Sequence, residues 1–141
     1  MSADLGTDAP DLRIAVMRLA RRLRTERASD AMTPSQMAVL ATLIREGPMT
    51  PGDLAVVERV QPPSMTRILQ ALQHQELVLR TPHPGDRRQV LFSVTEKAQA
   101  MVARDRERRD QWLLHRLEEL SPDDLTAIER AIPILNRLAL D

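Results

Sequence analysis

The sequence contains no cysteine and no tyrosine, and it has only one tryptophan, one phenylalanine and four glycines in 141 residues. Without cysteine the chain cannot form disulfides, thiolate metal sites or a thiol redox sensor, so regulation must act through a ligand, a proton or a partner. Four glycines leave little material for a glycine-rich phosphate loop, and no Ser-His-acid motif is present. We therefore expect no enzymatic activity and no cofactor.

Long apolar segments are also missing. No stretch approaches the roughly 18 uninterrupted apolar residues that span a bilayer, and the N-terminal sequence MSADLGTDAPDLR lacks an export signal. We expect one folding unit in the cytoplasm, with no membrane partner. His74, His83 and His115 lie far apart without metal-binding spacing, so plain surface histidines are favoured over the alternative of a zinc site.

The net charge is zero, but the charges are distributed unevenly along the chain. Residues 59–89 carry five arginines against two carboxylates, whereas residues 118–141 carry six carboxylates against two arginines. Lys97 is the only lysine, and the abundance of arginine reflects either a GC-rich genome or bidentate phosphate recognition. A basic middle region permits binding of nucleic acid despite the overall neutrality.

Four helix starts are marked by a capping side chain that is followed three residues later by a polar partner. In the last three, a proline directly follows the cap, at a position where a backbone N–H would have no partner within the helix. Four starts can thus be predicted without a structure. The pairs are Asp8 with Asp11, Thr33 with Gln36, Thr50 with Asp53, and Ser121 with Asp124.

Apolar residues at helical spacing predict three helices before residue 60. The second helix ends at Gly47-Pro48, and the third is short, running from about Pro51 to Glu58. The inward-facing residues are Leu12, Val16, Leu19 and Leu23 in the first helix, Met37, Leu40, Leu43 and Ile44 in the second, and Leu54, Ala55 and Val57 in the third.

Two further helices are predicted after residue 94. One runs from Thr95 to about Leu120, and the other begins at Pro122. Pro133 must lose a hydrogen bond within the last helix and should kink or end it there. The apolar stripes are Ala98, Met101, Val102, Trp112, Leu113 and Leu117 in the former, and Leu125, Ile128, Ile132, Leu135 and Leu138 in the latter.

Between these groups, the segment VQPPSMTRILQALQ begins with two prolines, Pro62 and Pro63. Because the first backbone donors of a helix lack helical partners, both prolines fit the first turn of a fourth helix capped by Gln61. Its inward stripe is Met65, Ile68, Leu69 and Leu72. The following LVLR at 77–80 and QVLFSV at 89–94 predict a β-hairpin, and the turn TPHPGDRR gives the hairpin a long basic tip.

A short helix, a tight turn, a second helix and a hairpin form a helix-turn-helix with a wing, which suggests DNA binding. The outward face of the fourth helix carries hydrogen-bonding side chains and no carboxylate before Glu76, which suits a phosphate-lined groove. A plain polar face on a packing helix is the alternative. The outward residues are Gln61, Pro63, Ser64, Thr66, Arg67, Gln70 and Gln73.

Several of these residues have the chemistry for specific DNA contacts. Ser64, Thr66 and Gln70 can donate to or accept from base edges. Arg67 can bind guanine or a phosphate, and Pro63 can touch a thymine methyl group. The cap at Thr50 offers free N–H groups to a phosphate.

Residues 49–98, MTPGDLAVVERVQPPSMTRILQALQHQELVLRTPHPGDRRQVLFSVTEKA, resemble the MarR family of winged-helix transcription regulators. The shared pattern is a Thr-Arg pair, a Leu-Val-x-Arg strand, an Asp-Arg-Arg wing tip and a Leu/Val-Thr-x-x-Gly/Ala helix start. The resemblance implies that Arg67 is the arginine of the pair and that Arg80 is the strand arginine. It also implies that Asp86 fixes Arg88 in the wing, with Arg87 as the adjacent basic residue.

Three positions depart from the family pattern. Glu58-Arg59 stands in the turn where the family often has glycine, so a non-glycine residue is expected in a left-handed conformation. Ala98 replaces a frequent glycine after the wing, and Pro133 interrupts the final helix.

The expected fold is mainly α with a small β-hairpin wing, a winged helix-turn-helix flanked by N- and C-terminal dimerisation helices. In this single chain unit, residues 31–95 form the DNA-binding domain, and residues 8–30 and 96–141 form the dimerisation helices. The terminal stripes exceed what a three-helix winged core can cover, which indicates an interface; packing on each other within one chain is the alternative. The predicted dimer contacts are Leu12, Val16, Leu19, Trp112, Leu117, Ile128, Ile132, Leu135 and Leu138.

The resemblance implies a homodimer that places two recognition helices in successive major grooves of a pseudo-palindromic operator on double-stranded DNA, with each wing arginine in the neighbouring minor groove. We expect this homodimer to act as a repressor. The resemblance suggests a small anionic or aromatic effector between the dimer helices and the winged domain. Arg18, Arg22 or Arg109 could pair with its carboxylate. The alternatives are a sequence-tolerant DNA-coating protein and a ligand- or protein-interaction module of the same fold that does not bind DNA.

Overall fold

The computed structural model describes residues 5–26 and 32–140, with side chains from residue 8 onward. This part of the chain is mainly helical and has one two-stranded antiparallel sheet, which confirms the predicted fold class. In chain order the elements are α1 (Leu5–Thr25), α2 (Pro34–Glu46), α3 (Pro51–Glu58), α4 (Pro62–His74), β1 (Val78–Pro82), β2 (Val90–Val94), α5 (Glu96–Glu118) and α6 (Pro122–Ala139).

The chain divides into two compact units. The central unit is Arg27–Glu107, and the terminal-helix unit combines Met1–Glu26 with Arg108–Asp141. The division therefore falls within α5, whereas the sequence placed a domain boundary between residues 95 and 96. The other predicted boundary, between residues 30 and 31, lies outside the described residues.

Three of the four predicted helix caps are confirmed. Thr33 forms a complete capping box with Gln36 at the start of α2, and Thr50 accepts from the backbone N–H of Asp53 at the start of α3. Ser121 caps α6 in the same way. The predicted cap at Asp8 is wrong, because α1 begins at Leu5 and Asp8 lies in its first turn. A carboxylate is stabilised there by the positive end of the helix dipole, so a sequence pattern alone does not separate the two positions.

The core of the central unit lies between α2, α3, α4 and the hairpin. The predicted inward stripes of α2 and α4 are confirmed, with Ile68, Met37 and Ile44 only partly buried. Beyond these helices, Ala98 and Val102 bring the start of α5 into the same core. The most deeply buried side chains of this core include Val39, Leu40, Leu43, Leu54, Met65, Leu69, Leu72 and Leu77.

The inward face of α3 differs from the prediction. Leu54 and Ala55 are buried, but Val57 is 48% exposed. In a helix of 3.6 residues per turn, the buried pair Leu54 and Ala55 centres the inward side of α3 between them. Glu58 falls close to that centre, whereas Val57 lies about 110° away from it. Glu58 accordingly accepts a hydrogen bond from the hydroxyl of Thr42, which is buried on α2.

The turn between α3 and α4 contains the expected left-handed residue. Arg59 has φ 55° and ψ 43°, and its N–H donates to the carbonyl of Val56. Non-glycine residues adopt this conformation at a cost that the surrounding structure must offset. The Thr42–Glu58 hydrogen bond holds the residue just before Arg59 against α2, so it is well placed to contribute to that offset.

We predict that Thr42→Val destabilises the central unit by about 1–3 kcal/mol, because the shape of the side chain is kept while a partly buried carboxylate loses its donor. Chemical denaturation monitored by circular dichroism measures this change. Thr126→Val is the matched control, since the hydroxyl of Thr126 is exposed and bonds only to the Pro122 carbonyl of its own helix. Equal effects of the two substitutions would show that the Thr42–Glu58 bond contributes nothing specific.

The hairpin forms as predicted, with strand ends displaced by one or two residues. Val78 pairs with Val94, Arg80 with Phe92, and Pro82 with Val90. Met49 exchanges backbone hydrogen bonds of 3.1 and 2.9 Å with Phe92, so the segment before α3 lies along the second strand. This contact ties the start of α3 to the wing.

Hydrogen bonds also connect the end of α4 to the start of α5. Glu76 has φ 60°, and its carbonyl accepts from the hydroxyl of Thr95 at 2.8 Å. The ammonium of Lys97 donates to the carbonyl of Gln75 at 3.0 Å, where a cation is favoured by the negative end of the α4 dipole. The orientation of α4 is therefore fixed at its C-terminal end by residues of α5.

Within the terminal-helix unit, the apolar stripes of α1 and α6 are exposed in a single chain. No described side chain of either helix is buried, and Ile132 and Leu138 are 52% and 68% exposed. The two stripes therefore do not bury each other. Helix α6 continues past Pro133 to Ala139, so Pro133 does not end the helix, and the alternative of a kink at Pro133 stays a prediction. One missing N–H removes a single hydrogen bond, and the remaining turns propagate beyond it.

The single tryptophan of the chain lies between arginines of the same unit. The Arg22 guanidinium is 5.0 Å from the centre of the Trp112 ring, and that of Arg116 is 5.9 Å away. Arg22 also bonds to Glu26 at 2.8 Å, and Glu26 is in turn 3.8 Å from Arg108. These contacts join α1 to α5 within the terminal-helix unit.

Candidate DNA-binding surface

The outward face of α4 is formed by the residues that the sequence placed there. Pro63, Thr66, Arg67 and Gln70 are exposed, and Ser64 at the edge of the face is half-buried. The opposite side of the helix is anchored in the core by Met65, Leu69 and Leu72. This face is therefore held on a rigid element, and it carries one full positive charge and no carboxylate.

The start of α4 differs from the prediction in one respect. Gln61 occupies the N-cap position with extended backbone angles, but its side chain makes no capping hydrogen bond, so the predicted cap is wrong. Pro62 and Pro63 supply no N–H at the first two helical positions, and the longer glutamine side chain is not among those that favour caps. The exposed amide of Gln61 is consequently not engaged by the helix that follows.

Two hydroxyl groups near this surface are already engaged. Thr66 donates to the carbonyl of Pro62 at 3.1 Å, and Thr50 accepts from Asp53 N–H at 3.1 Å. Pro51 has no N–H, and Leu54 N–H donates to the Thr50 carbonyl at 3.0 Å. In the first turn of α3 as described, only the amide of Gly52 lacks an acceptor, so the free N–H groups predicted at this cap reduce to that one. A phosphate contact there stays a prediction.

A groove of about 280 Å³ separates α4 from the hairpin. It brings Thr66 and Gln70 together with Arg80, which the sequence could only place on separate elements. A second groove of about 310 Å³ along the hairpin adds Arg87 to Arg80. The first groove is lined by Pro51, Thr66, Leu69, Gln70, Gln73, Arg80, Val90 and Phe92.

The tip of the wing is ordered by two acceptor side chains. Asp86 Oδ1 accepts from Arg88 N–H at 2.9 Å and lies 3.6 Å from Arg88 Nε. The Arg88 side chain is nevertheless 94% exposed, so it projects from the turn. His83 Nδ1 accepts from the backbone N–H groups of Gly85 at 3.0 Å and Asp86 at 3.1 Å. In this geometry Nδ1 carries no proton, and the neutral ring must hold its proton on Nε2.

We predict that His83→Ala loosens the wing, because two backbone N–H groups lose their common acceptor. The free energy needed to open the turn locally should fall by about 1 kcal/mol. Faster amide hydrogen exchange at Gly85 and Asp86 is the expected result. His83→Asn is the matched control, since its side-chain oxygen can occupy the place of Nδ1 and keep exchange slow. If asparagine and alanine accelerate exchange equally, the imidazole nitrogen does not order the turn.

Sequence reasoning missed three contributors to this surface. Sequence spacing groups His83 with plain surface histidines, although the sequence HPGD after a strand is a turn signal that an acceptor side chain can stabilise. His74 is exposed one turn beyond Gln70 on the same face of α4. Lys97 fixes the end of α4 from another element, and no local pattern reveals that contact.

The candidate effector arginines differ in their surroundings. Arg22 is occupied by Glu26, Thr25 and the Trp112 ring. Arg109 has a buried Nε with no hydrogen-bond partner among the described residues. No group of three acidic or histidine side chains in residues 5–26 and 32–140 is arranged to hold a metal ion, and no described helix could cross a membrane.

Comparisons with known proteins match this architecture. The model of the MarR family matches residues 32–90. An uncharacterized HTH-type transcriptional regulator of Mycobacterium leprae is 45% identical over 130 residues, covering 92% of this chain and 91% of that protein. The HTH-type transcriptional repressor NicR of Pseudomonas putida is 30% identical over 133 residues, covering 92% and 80%. The crystal structure of a putative transcriptional regulator from Pseudomonas aeruginosa superimposes with a TM-score of 0.86 at 29% identity, covering 98% of each chain.

Proposed function

The chain belongs to the MarR family of winged helix-turn-helix transcriptional regulators, and from this premise we propose that it is a homodimeric repressor. Membership makes it a DNA-binding regulator of transcription and not an enzyme. Its target is a pseudo-palindromic operator on double-stranded DNA, which it meets in the cytoplasm. A small anionic or aromatic ligand releases it from that operator.

The observation that carries this proposal is the carboxylate-free outward face of α4 beside an arginine-bearing wing. Arg67 and Gln70 project from α4, Arg80 and Arg87 line the hairpin, and Arg88 extends from its tip. A major groove admits one helix, and phosphates flank it on both sides. Side chains that read base edges are thus bordered by cations that can bind the DNA backbone.

Each predicted contact has a chemical role in this arrangement. Arg67 binds guanine or a phosphate, while Ser64, Gln70 and the unengaged amide of Gln61 reach base edges. Arg88 enters the neighbouring minor groove, with Asp86 holding its backbone, and Arg87 and Arg80 lie against phosphates. The Gly52 N–H is the remaining donor near the Thr50 cap.

The homodimer follows from the apolar stripes of α1 and α6. Soluble proteins rarely expose contiguous apolar surfaces of this kind, and a two-fold axis would bury the same stripe from both copies. Two recognition helices about 34–36 Å apart would then match one turn of DNA. The proposed contacts are Leu12, Val16, Leu19, Trp112, Leu117, Ile128, Ile132, Leu135 and Leu138.

The repressor role and the effector are supported by separate observations. The similarity to a protein described as a repressor favours repression over activation. The buried Nε of Arg109, which has no hydrogen-bond partner in the part of the chain that the structure describes, offers a donor to an anionic ligand. A ligand that binds only one conformation of the dimer shifts the population away from the DNA-bound state.

Selection from a library of duplexes with a random central segment tests this function directly. We expect an inverted repeat and a specificity ratio of about 10³ or more over a scrambled duplex at physiological salt. Affinity measured at two salt concentrations gives the number of phosphate contacts. Enrichment without a consensus would instead indicate a DNA-coating protein, and no binding to any duplex would indicate an interaction module.

A further inference from the structure

We propose that the first turn of α4 reads thymine through its C5-methyl group, so that Pro63 and Thr66 specify a thymine in each half-site of the operator. This inference rests on the proposed function, because it assumes that α4 enters the major groove. It goes further because it assigns a base to a defined part of the helix. The assignment follows from the two N–H groups that the prolines lack and from the Thr66 hydroxyl, which already donates its hydrogen within the helix.

The first two positions of the first turn cannot contribute backbone donors to DNA. Pro62 and Pro63 occupy its first two positions and have no N–H. In recognition helices these N-terminal residues are the ones that contact base edges. Both proline rings are exposed, so the groups presented at the helix start are CH₂ groups.

Thr66 extends the same apolar surface along the helix. It lies three residues after Pro63, and residues at this spacing are neighbours on a helix surface. Its hydroxyl donates its only hydrogen to the Pro62 carbonyl at 3.1 Å, which orients the oxygen back along the helix. Toward DNA, Thr66 therefore offers a methyl group and at most an acceptor lone pair, and no donor.

Only one of the four bases matches such a surface in the major groove. Thymine presents a methyl group there, whereas guanine, adenine and cytosine present polar groups. A guanine edge, which presents only acceptors, would lose water under the proline and threonine carbon atoms without gaining a partner, and that loss is costly. Adenine and cytosine present an amino group that could reach only the one acceptor oxygen of Thr66, so their edges would be poorly satisfied. The surface therefore favours thymine both by contact with its methyl group and by excluding the alternatives.

The neighbouring residues supply the polar recognition that this surface lacks. Gln61 lies before it, and Arg67 and Gln70 lie after it on the outward face. Ser64 is half-buried at the edge of the helix and does not interrupt the carbon surface of Pro63 and Thr66. A half-site read by α4 is thus expected to place its conserved thymine beside positions read by hydrogen bonds.

The test uses the operator duplex obtained by selection. Each thymine is replaced in turn by deoxyuridine, which removes only the methyl group, and affinity is measured by fluorescence anisotropy. At one position per half-site we expect a loss of about fourfold, and of about 15-fold when both half-sites are changed, as the removal of one buried carbon predicts. 5-Bromodeoxyuridine, whose bromine replaces the methyl group, should restore binding at that position.

Variants of the protein then assign the contact to α4. Thr66→Ser keeps the hydroxyl and its bond to Pro62 but removes the methyl group, and Pro63→Ala removes the ring. Each should weaken binding to the thymine operator and have no further effect on the deoxyuridine operator. Uniform tolerance of deoxyuridine, or equal losses on both operators, would overturn the inference. A failure of the selection to yield any consensus would contradict the proposed function itself.

Discussion

Replacing both Ile132 and Leu135 by aspartate is expected to convert the protein into monomers and to lower operator affinity by more than a hundredfold. Both side chains belong to the exposed stripe of α6, whose described residues are unburied in one chain. In a symmetric dimer each substitution occurs twice, and an unpaired buried charge costs about 3–5 kcal/mol. The monomer can occupy only one half-site, so the affinity contributed by the second half-site is lost.

Sedimentation velocity measures the oligomeric state, and anisotropy with the selected operator measures affinity. Arg130→Asp is the matched control, because it adds a carboxylate to the opposite side of the same helix and should leave a dimer. Circular dichroism checks that the double variant keeps its helices. If the double variant sediments as a dimer, α6 does not form the interface. A dimer that survives deletion of residues 121–141 would lead to the same conclusion.

The second large effect is expected for Arg67→Ala, which should weaken operator binding by about 1–3 kcal/mol in each half-site, and therefore by about 2–6 kcal/mol in the dimer. Arg67 is exposed on α4 and no ion pair engages it among the described residues. Its removal should therefore leave the stability of the central unit nearly unchanged. Arg104→Ala, which removes an exposed arginine of the same unit from α5, should change affinity little.

The salt dependence of Arg67→Lys distinguishes a base contact from a phosphate contact. Lysine keeps the charge but not the planar fork that binds guanine with two hydrogen bonds. If Arg67 reads guanine, Arg67→Lys binds as weakly as Arg67→Ala and loses discrimination at one position. If it binds a phosphate, lysine largely restores affinity, and the alanine variant lowers the salt slope by about one. Unchanged affinity in all variants would place Arg67 outside the interface.

Most of the helical framework could be predicted because its determinants are local. Thr33, Thr50 and Ser121 were recognised as caps because each is followed by a proline and then a polar residue. The stripe of α4 was equally clear, since no glycine or proline interrupts it after Pro63. The local sequence pattern gave a wrong prediction at Asp8, because aspartate is favoured both at the N-cap and in the first turn of a helix.

The missed features depend on contacts between elements that are distant in sequence. Val57 was placed inside because it is apolar, but Glu58 takes the inner side of α3 to reach Thr42 on α2. The role of Lys97 required the end of α4 beside the start of α5. The hydrogen bond from Thr66 to Pro62 is an exception, because it is local to α4 and depends on the side-chain rotamer of Thr66. The candidate surface was thus predicted in its residues but not in which of their polar groups are free.

Trp112 is an intrinsic fluorescence probe of the terminal-helix unit. The chain has one tryptophan and no tyrosine, so its intrinsic emission comes from a ring that lies beside Arg22 and Arg116 in the terminal-helix unit. The central unit, which carries α4 and the wing, contains no tryptophan or tyrosine and does not contribute to this emission. A shift in this emission when an operator duplex binds would therefore report a change in the terminal-helix unit.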